Sequence, residues 1–247
     1  MKELRSQAIV LRTMPLGEAD KLVTMLTREA GKVKAVARGS RKTKSKFSAL
    51  VEPLTLGSFL LHAGKTFYTF IQGELLKSYT GLQHDLERFV HAQYFCEICD
   101  RCLPEGEPAE AVFHLLLTAL ETLEVDPHPA RVARCFELNL LEELGLKPAL
   151  DACRICGKSG GPFRFDPLEG GLVCAECPRP ASSFPVSAAS LAVMKRLLAY
   201  GFQKLSVCLL SPQSQSEIHQ VCLGLFQHIF DVRSLRSLQF LKAGKPS

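Results

Sequence analysis

Four cysteines carry the strongest chemical signal in this 247-residue sequence. Cys153 and Cys156 form one Cys-x-x-Cys pair and Cys174 and Cys177 a second, with seventeen residues between them. Each pair presents two thiolates from one tight turn, and two such turns complete the tetrahedron of soft ligands that Zn²⁺ favours. Gly157 follows the first pair and Gly170-Gly171 precedes the second, which suits tight backbone turns. The plain alternative is four free thiols. Four cysteines fill the coordination shell, whereas a catalytic zinc keeps a position open for water or substrate. Glu176 lies inside the second pair, but no His-x-Glu ligand motif accompanies it, unlike a zinc deaminase. The spacing therefore predicts a structural zinc. Four thiolates and one Zn²⁺ leave a net charge of −2, which Arg154 and Lys158 are placed to offset.

A second cysteine run, "CEICDRC", spaces Cys96, Cys99 and Cys102 like part of an iron–sulfur motif. The fourth cysteine of that motif is missing; the next is Cys135. The run sits in a helical pattern, so buried thiols are the first reading and a metal or redox role the second. His84, His91, His114, His219 and His228 also lie in helical stretches with no nucleophile placed beside them.

The third candidate is electrostatic. No acidic residue occurs between Glu29 and Glu52, a stretch holding Lys32, Lys34, Arg38, Arg41, Lys42, Lys44 and Lys46. On a strand, Lys32, Lys34 and Arg38 share parity and so one face. A basic run is most often a solvated surface. On a small β-barrel it is also the surface that meets phosphates. Phe59, Phe67, Tyr68 and Phe70 are read first as core and second as platforms for stacked bases.

The elements that position these residues follow from period. Five alternating runs, near 5–13, 20–28, 32–38, 54–62 and 66–76, predict a five-stranded barrel of OB-fold order over residues 1–80. "FSALVEP" (Phe47–Pro53) reads as a short helix between the third and fourth strands. From residue 81 the period changes to helical, with three helices before Gly145 and two after Ser187, the latter a plausible cap. A last short helix is read in "SLRSLQFL". The fold class is thus α+β multidomain: an OB barrel (1–80) and a helical bundle (81–247), with the four-cysteine zinc module inserted at about 148–180. Charge follows the same division. Residues 1–80 hold 14 Lys and Arg against 6 Asp and Glu; residues 81–147 hold 5 against 13; residues 148–247 hold 11 against 6. No apolar run is long enough for a bilayer and no signal core opens the chain, which points to a cytoplasmic protein without a membrane partner. Ten cysteines in this setting fit a reducing compartment better than a disulfide scaffold.

The stretch "AIVLRTMPLGEADKLVTMLTREAGKVKAVARGSRK", followed by "CRICG…GGLVCAEC" and a helical C-terminal region, resembles the RecO family of bacterial DNA repair and recombination mediators. The resemblance covers nearly the whole chain. It implies an N-terminal OB domain, a helical domain and often an inserted zinc module. It implies no enzymatic activity. Its implied function is binding of single- and double-stranded DNA, annealing of complementary strands and, with RecR, loading of RecA onto DNA coated by single-strand binding protein. It implies association with the nucleoid during repair. The third-strand basic positions that such proteins use for DNA match Lys34 and Arg38; Lys32, Arg41, Lys42, Lys44 and Lys46 extend the set by charge. An acidic tail of single-strand binding protein would find Lys195, Arg196, Arg233 and Arg236 in the C-terminal helices. Two other readings stay open on the residues alone. One is a nucleic-acid-modifying enzyme centred on zinc or on "CEICDRC". The other is a protein-interaction adaptor that uses the acidic middle segment and does not bind DNA.

Overall fold

The computed structural model describes residues 3–178 and 180–230, together with Leu235 and Ser237. Two compact units are present. The first runs to Glu124 and takes in Leu235 and Ser237; the second begins at Val125. Among the described residues, no helix is long and apolar enough to cross a membrane.

The first unit is built on β1 (Glu3–Leu16), β2 (Asp20–Thr27), β3 (Gly31–Ala37), β4 (Thr55–Ala63) and β5 (Tyr68–Ser78). They pair in the order β1-β2-β3-β5-β4, and β1 also pairs with β4, so the sheet closes into the barrel the alternation predicts. β1 serves both neighbours because it is long. Its first half pairs with β4 and its second with β2, Ala8 and Ile9 pairing with both, and an irregularity follows between Val10 and Arg12 in the pairing with β2. Alternate residues fill the interior: Ala8 and Val10, Val23 and Met25, Val33 and Ala35, Phe59 and Leu61, and Phe70. The Phe59 ring lies over Gly57 and Gly73, where a Cβ would come within 2.5 and 2.9 Å of it. Phe59 and Phe70 meet edge to face at 5.4 Å. Those two rings are therefore core, and stacking on bases is closed to them.

Between β3 and β4 a short 3-10 turn, Ala49–Val51, takes the place of the predicted helix. With Phe47 it sends Leu50 and Val51 into the core. Helix α1 (Leu86–Cys102) starts at Asp85, whose side chain accepts the Arg88 N–H at 3.1 Å, and packs on β1. Helix α2 (Glu110–Val125) follows, and Arg88 reaches the Leu123 carbonyl near its end. Both helices, read in the sequence as the opening of a bundle, fall in the unit of the sheet.

In the second unit α3 (Pro129–Glu143), α4 (Ala188–Tyr200) and α5 (Pro212–Phe230) pack against one another. Pro129 opens α3 and Gly145, at φ +74°, closes it, with the Leu146 N–H returning to Leu141 O at 2.7 Å. Between α3 and α4 the cysteine segment forms its own sheet of β6 (Ala149–Cys153), β7 (Phe163–Asp166), β8 (Gly171–Cys174) and β9 (Phe184–Val186), in the order β6-β8-β7-β9. The sequence did not announce these strands, because runs of three to five residues are too short for a period to show. The "SLRSLQFL" helix lies outside the described residues, Leu235 and Ser237 excepted.

One contact in the first unit has a direct consequence. Gly31 opens β3 at φ +64°, and a Cβ there would stand 1.7 Å from the Glu107 carbonyl oxygen. The segment after α1 is pressed against β3 at this point, with the Gly106 N–H donating to Lys32 O at 2.8 Å. Gly17 has nearly the same φ, +63°, with nothing within 4 Å of its Cβ position. In urea melts Gly31→Ala is expected to destabilise by about 2–4 kcal/mol and Gly17→Ala by ~1 kcal/mol, the difference being the backbone clash.

Candidate metal centre and candidate nucleic-acid interface

The four cysteines come together through strand pairing. β6 and β8 run parallel with Cys153 opposite Leu172, and the Cys174 N–H donates to Cys153 Sγ at 3.4 Å, each cysteine ending its strand with its turn beyond. The first turn is closed by the Gly157 N–H on Cys153 O at 2.9 Å, with Gly157 at φ +76°. All four sulfurs lie within 4.8 Å of one another. Cys153 and Cys177 are 3.8 Å apart, and Cys156 and Cys174 3.6 Å. A tetrahedron with metal–sulfur bonds of ~2.3 Å has edges of about 3.8 Å. The donor set fits a thiophilic divalent ion and can hold one.

Electrostatics favour the same reading. Burial alone would push the Cys153 thiol up. N–H groups of Cys156, Cys174 and Ile155 outweigh it and bring the thiol down to about 6, so this sulfur is prepared as a thiolate. Cys177 is pushed up to about 12, first by the neighbouring Cys156 thiol and then by burial. Four sulfurs this close cannot all ionise without a cation between them. Lys158 forms an ion pair with Glu176 across the two turns, and Arg154 donates to the Glu169 carbonyl at 3.3 Å.

"CEICDRC" is different. Cys96, Cys99 and Cys102 are buried along α1. Burial pushes the Cys96 and Cys102 thiols up to about 12 and raises Cys99 as well. They are neutral packing groups, and the only metal-competent cluster among the described residues is the other one. The helical histidines have local roles: His91 Nδ1 lies 2.8 Å from Glu87 O, and His219 Nδ1 3.2 Å from Glu137 Oε1.

The seven basic residues divide into two groups. Arg38, Arg41, Lys42, Lys44 and Lys46 are exposed on the segment that follows β3. None of these five forms an ion pair with a carboxylate among the described residues. Their backbone is tied down by turns: Gly39 N–H to Asp20 Oδ1 at 2.7 Å, Arg41 N–H to Ala19 O at 3.0 Å, Lys42 N–H to Gly39 O at 3.1 Å and Ser45 N–H to Lys42 O at 3.0 Å. Arg41 also donates to Gly17 O at 2.8 Å, and Lys46 lies 5.0 Å over the Phe47 ring. The result is a fixed basic loop.

Lys32 and Lys34 share the outer face of β3, as parity predicts, while Val33, Ala35 and Ala37 are core. Their charges are not free. Lys32 is only 7% exposed; its Nζ donates to the Asp100 carbonyl and stands 3.5 Å from Asp100 Oδ1. Lys34 pairs with Glu105. Arg12 on β1, which the charge run did not include, donates to Asp100 Oδ2 at 3.0 Å. No local signal marks Arg12, since its partner lies 88 residues along the chain. Of the C-terminal cations, Lys195 pairs with Asp151 at 2.7 Å and Arg196 is exposed. Arg233 and Arg236 lie outside the described residues.

The comparisons with known proteins agree with this architecture. The family model for the Recombination protein O N terminal matches residues 1–79, and that for the Recombination protein O C terminal matches residues 83–239. The chain belongs to the Recombination protein O (RecO) family. A DNA repair protein RecO from Symbiobacterium thermophilum is 37% identical over 239 residues, 94% of each chain. One from Bacillus pumilus is 33% identical over 242 residues, 96% of this chain and 93% of its own length. One from Anaeromyxobacter sp. strain K is 33% identical over 246 residues, 98% of this chain and 96% of its own.

In this RecO-family chain Lys32 holds α1 to the sheet, whereas Lys42 projects into solvent. Lys32→Met is expected to lower stability by roughly 2–3 kcal/mol, below the ~3–5 of a fully orphaned buried partner because Asp100 keeps Arg12. Lys42→Met should stay within about 0.5 kcal/mol. Thermal and urea melts of the two variants check the contrast.

Proposed function

We propose that this chain is a DNA-binding mediator of repair and recombination that acts by charge neutralisation and not by covalent chemistry. The observation that carries the reading is the fixed loop of five exposed cations, Arg38, Arg41, Lys42, Lys44 and Lys46, with no carboxylate partner among the described residues. A row of pre-positioned cations displaces counterions from phosphates and lets two complementary strands approach. Family membership and the relatives named DNA repair protein RecO support the same role. On this reading the chain binds single- and double-stranded DNA and anneals complementary strands. With RecR it helps load RecA onto DNA covered by single-strand binding protein, in the cytoplasm and at the nucleoid. Lys34 joins the phosphate contacts when its pairing with Glu105 permits. Lys32, being buried, is left out of the contact set.

The ion suited to the four sulfurs is Zn²⁺, in a structural role. Four thiolates leave no open position for water activation. When bound, the ion would cross-link the turns that follow β6 and β8, contributing on the order of 10 kcal/mol to the local fold.

Two measurements test these statements. Across a salt series, Arg38→Gln/Lys42→Gln/Lys44→Gln should weaken duplex binding and flatten the slope of log K against log salt by up to about 2.7, near 0.9 per lost contact. Annealing should slow in parallel. Unchanged binding with an intact melt would remove the loop from the function. Separately, the wild type should retain about one zinc per chain, and Cys156→Ser should lose it and melt earlier while keeping DNA affinity within roughly twofold. A matching loss of DNA affinity would show that the metal module is part of the DNA site.

A further inference from the structure

The basic surface of the sheet faces an acidic counterpart from the same unit. α1 ends in Asp100-Arg101-Cys102, and the segment beyond it brings Glu105 beside β3 through the Lys32–Glu105 bridge and the Gly106 hydrogen bond. Asp100 thus receives Arg12 at 3.0 Å on one oxygen and Lys32 at 3.5 Å on the other, and Glu105 receives Lys34. These carboxylates occupy the places that phosphate oxygens would take against the same cations. They also border a cavity of about 900 Å³, whose charged lining is Arg12, Lys32, Lys34 and Arg101 against Glu97, Asp100 and Glu105. Charges in that cavity nearly cancel, whereas the cations of the 38–46 loop form no ion pair with a carboxylate among the described residues.

We propose that Asp100 and Glu105 act as an intramolecular charge lock, standing in for phosphates on Arg12 and Lys34 and withholding the sheet's cations from nucleic acid. DNA first meets the loop. Arg12 and Lys34 add their contacts only when a competing polyanion or a cationic partner draws the carboxylates away. Lys32 stays in place as the buried post of the lock. Exposure and the number of partners set the order of release. Glu105 is half exposed and holds a single cation, so Lys34 is freed first; Asp100 is 16% exposed at its side chain and is held by two. This inference rests on the DNA-binding reading and assigns it a second, conditional contact set.

The test separates the two. Glu105→Gln frees Lys34 at a half-exposed position. Glu107→Gln removes the same charge two residues away, where no ion pair is formed among the described residues. Both are titrated with a fluorescent duplex and a single strand by anisotropy across a salt series, beside the wild type. The lock predicts that Glu105→Gln tightens duplex binding about fivefold at ~0.15 M salt and steepens the salt slope by about 0.9, or about 0.7 on a single strand. Glu107→Gln should raise affinity by less and leave the slope alone. Adding Lys34→Gln to Glu105→Gln should abolish the gain. Asp100→Asn, scored only if its melt is intact, should give a further increase through Arg12. If the wild type binds DNA but Glu105→Gln and Glu107→Gln behave alike, the lock is wrong and the DNA reading stands. If neither the wild type nor Glu105→Gln binds at ~20 mM salt, both fall.

Discussion

Closure of the five-stranded sheet governs where the chemistry can sit. β3 pairs with β5 and not with β4, its successor in sequence, and the closing seam holds only Ala35 with Tyr68 and Val36 with Thr69. The chain leaving β3 must therefore cross the end of the barrel before it can enter β4. Residues 38–54 make that crossing. Their second half covers the barrel end, with Phe47, Leu50 and Val51 buried against Phe59 and Phe70. Their first half is left outside and carries the five cations that have no carboxylate partner among the described residues. The plug fixes one end of the basic loop and the β3 turn fixes the other. A loop held at both ends loses less entropy when phosphates bind it than a free tail would.

The same closure sorts the cations by what they can do. A residue on the outer face of β3 is available to whatever packs on that face, and here it is the acidic end of α1. Lys32 is buried under it and becomes structural; Lys34 is at its rim, with 28% of its side chain still exposed. A lysine taken out of water needs a carboxylate beside it, or it loses its charge. The cations from Arg38 to Lys46 have left the sheet and form no ion pair with a carboxylate among the described residues. One basic run in sequence thus yields a post, a shared residue and a free loop, according to distance from the packing helix.

The alternation of β1–β5 and the helical period after residue 81 were legible because a buried face repeats at a fixed interval in each. The cysteine pairs were legible because metal geometry constrains spacing. The fate of Lys32 was not, because parity places a side chain on a face and says nothing of what covers that face. Arg12 was missed for the same reason, its partner being supplied by α1. The 3-10 turn in place of a short helix reflects the plug, where Phe47, Leu50 and Val51 are positioned by the barrel and not by helix propensity. The run "CEICDRC" looked like ligation in spacing, but residues three apart on a helix also stack into a core, and burial that holds thiols neutral decides between the two.

The cysteine module carries the last consequence of size. Its strands are three to five residues long, and its buried apolar residues reduce to Leu150, Phe163, Phe165, Leu172, Val173 and Val186. So few side chains cannot offset the entropy of ordering nearly forty residues. Part of the support comes from α5, where a Cβ at Gly224 would approach the Pro167 ring to 2.8 Å, so this ring packs directly on the helix backbone. The parallel pairing of β6 with β8 brings the four sulfurs to the spacing that a metal cross-link would require. With an ion held by the four sulfurs, metal affinity and local folding would be one free energy. The basic loop, anchored by the barrel's own plug, has no such dependence on it.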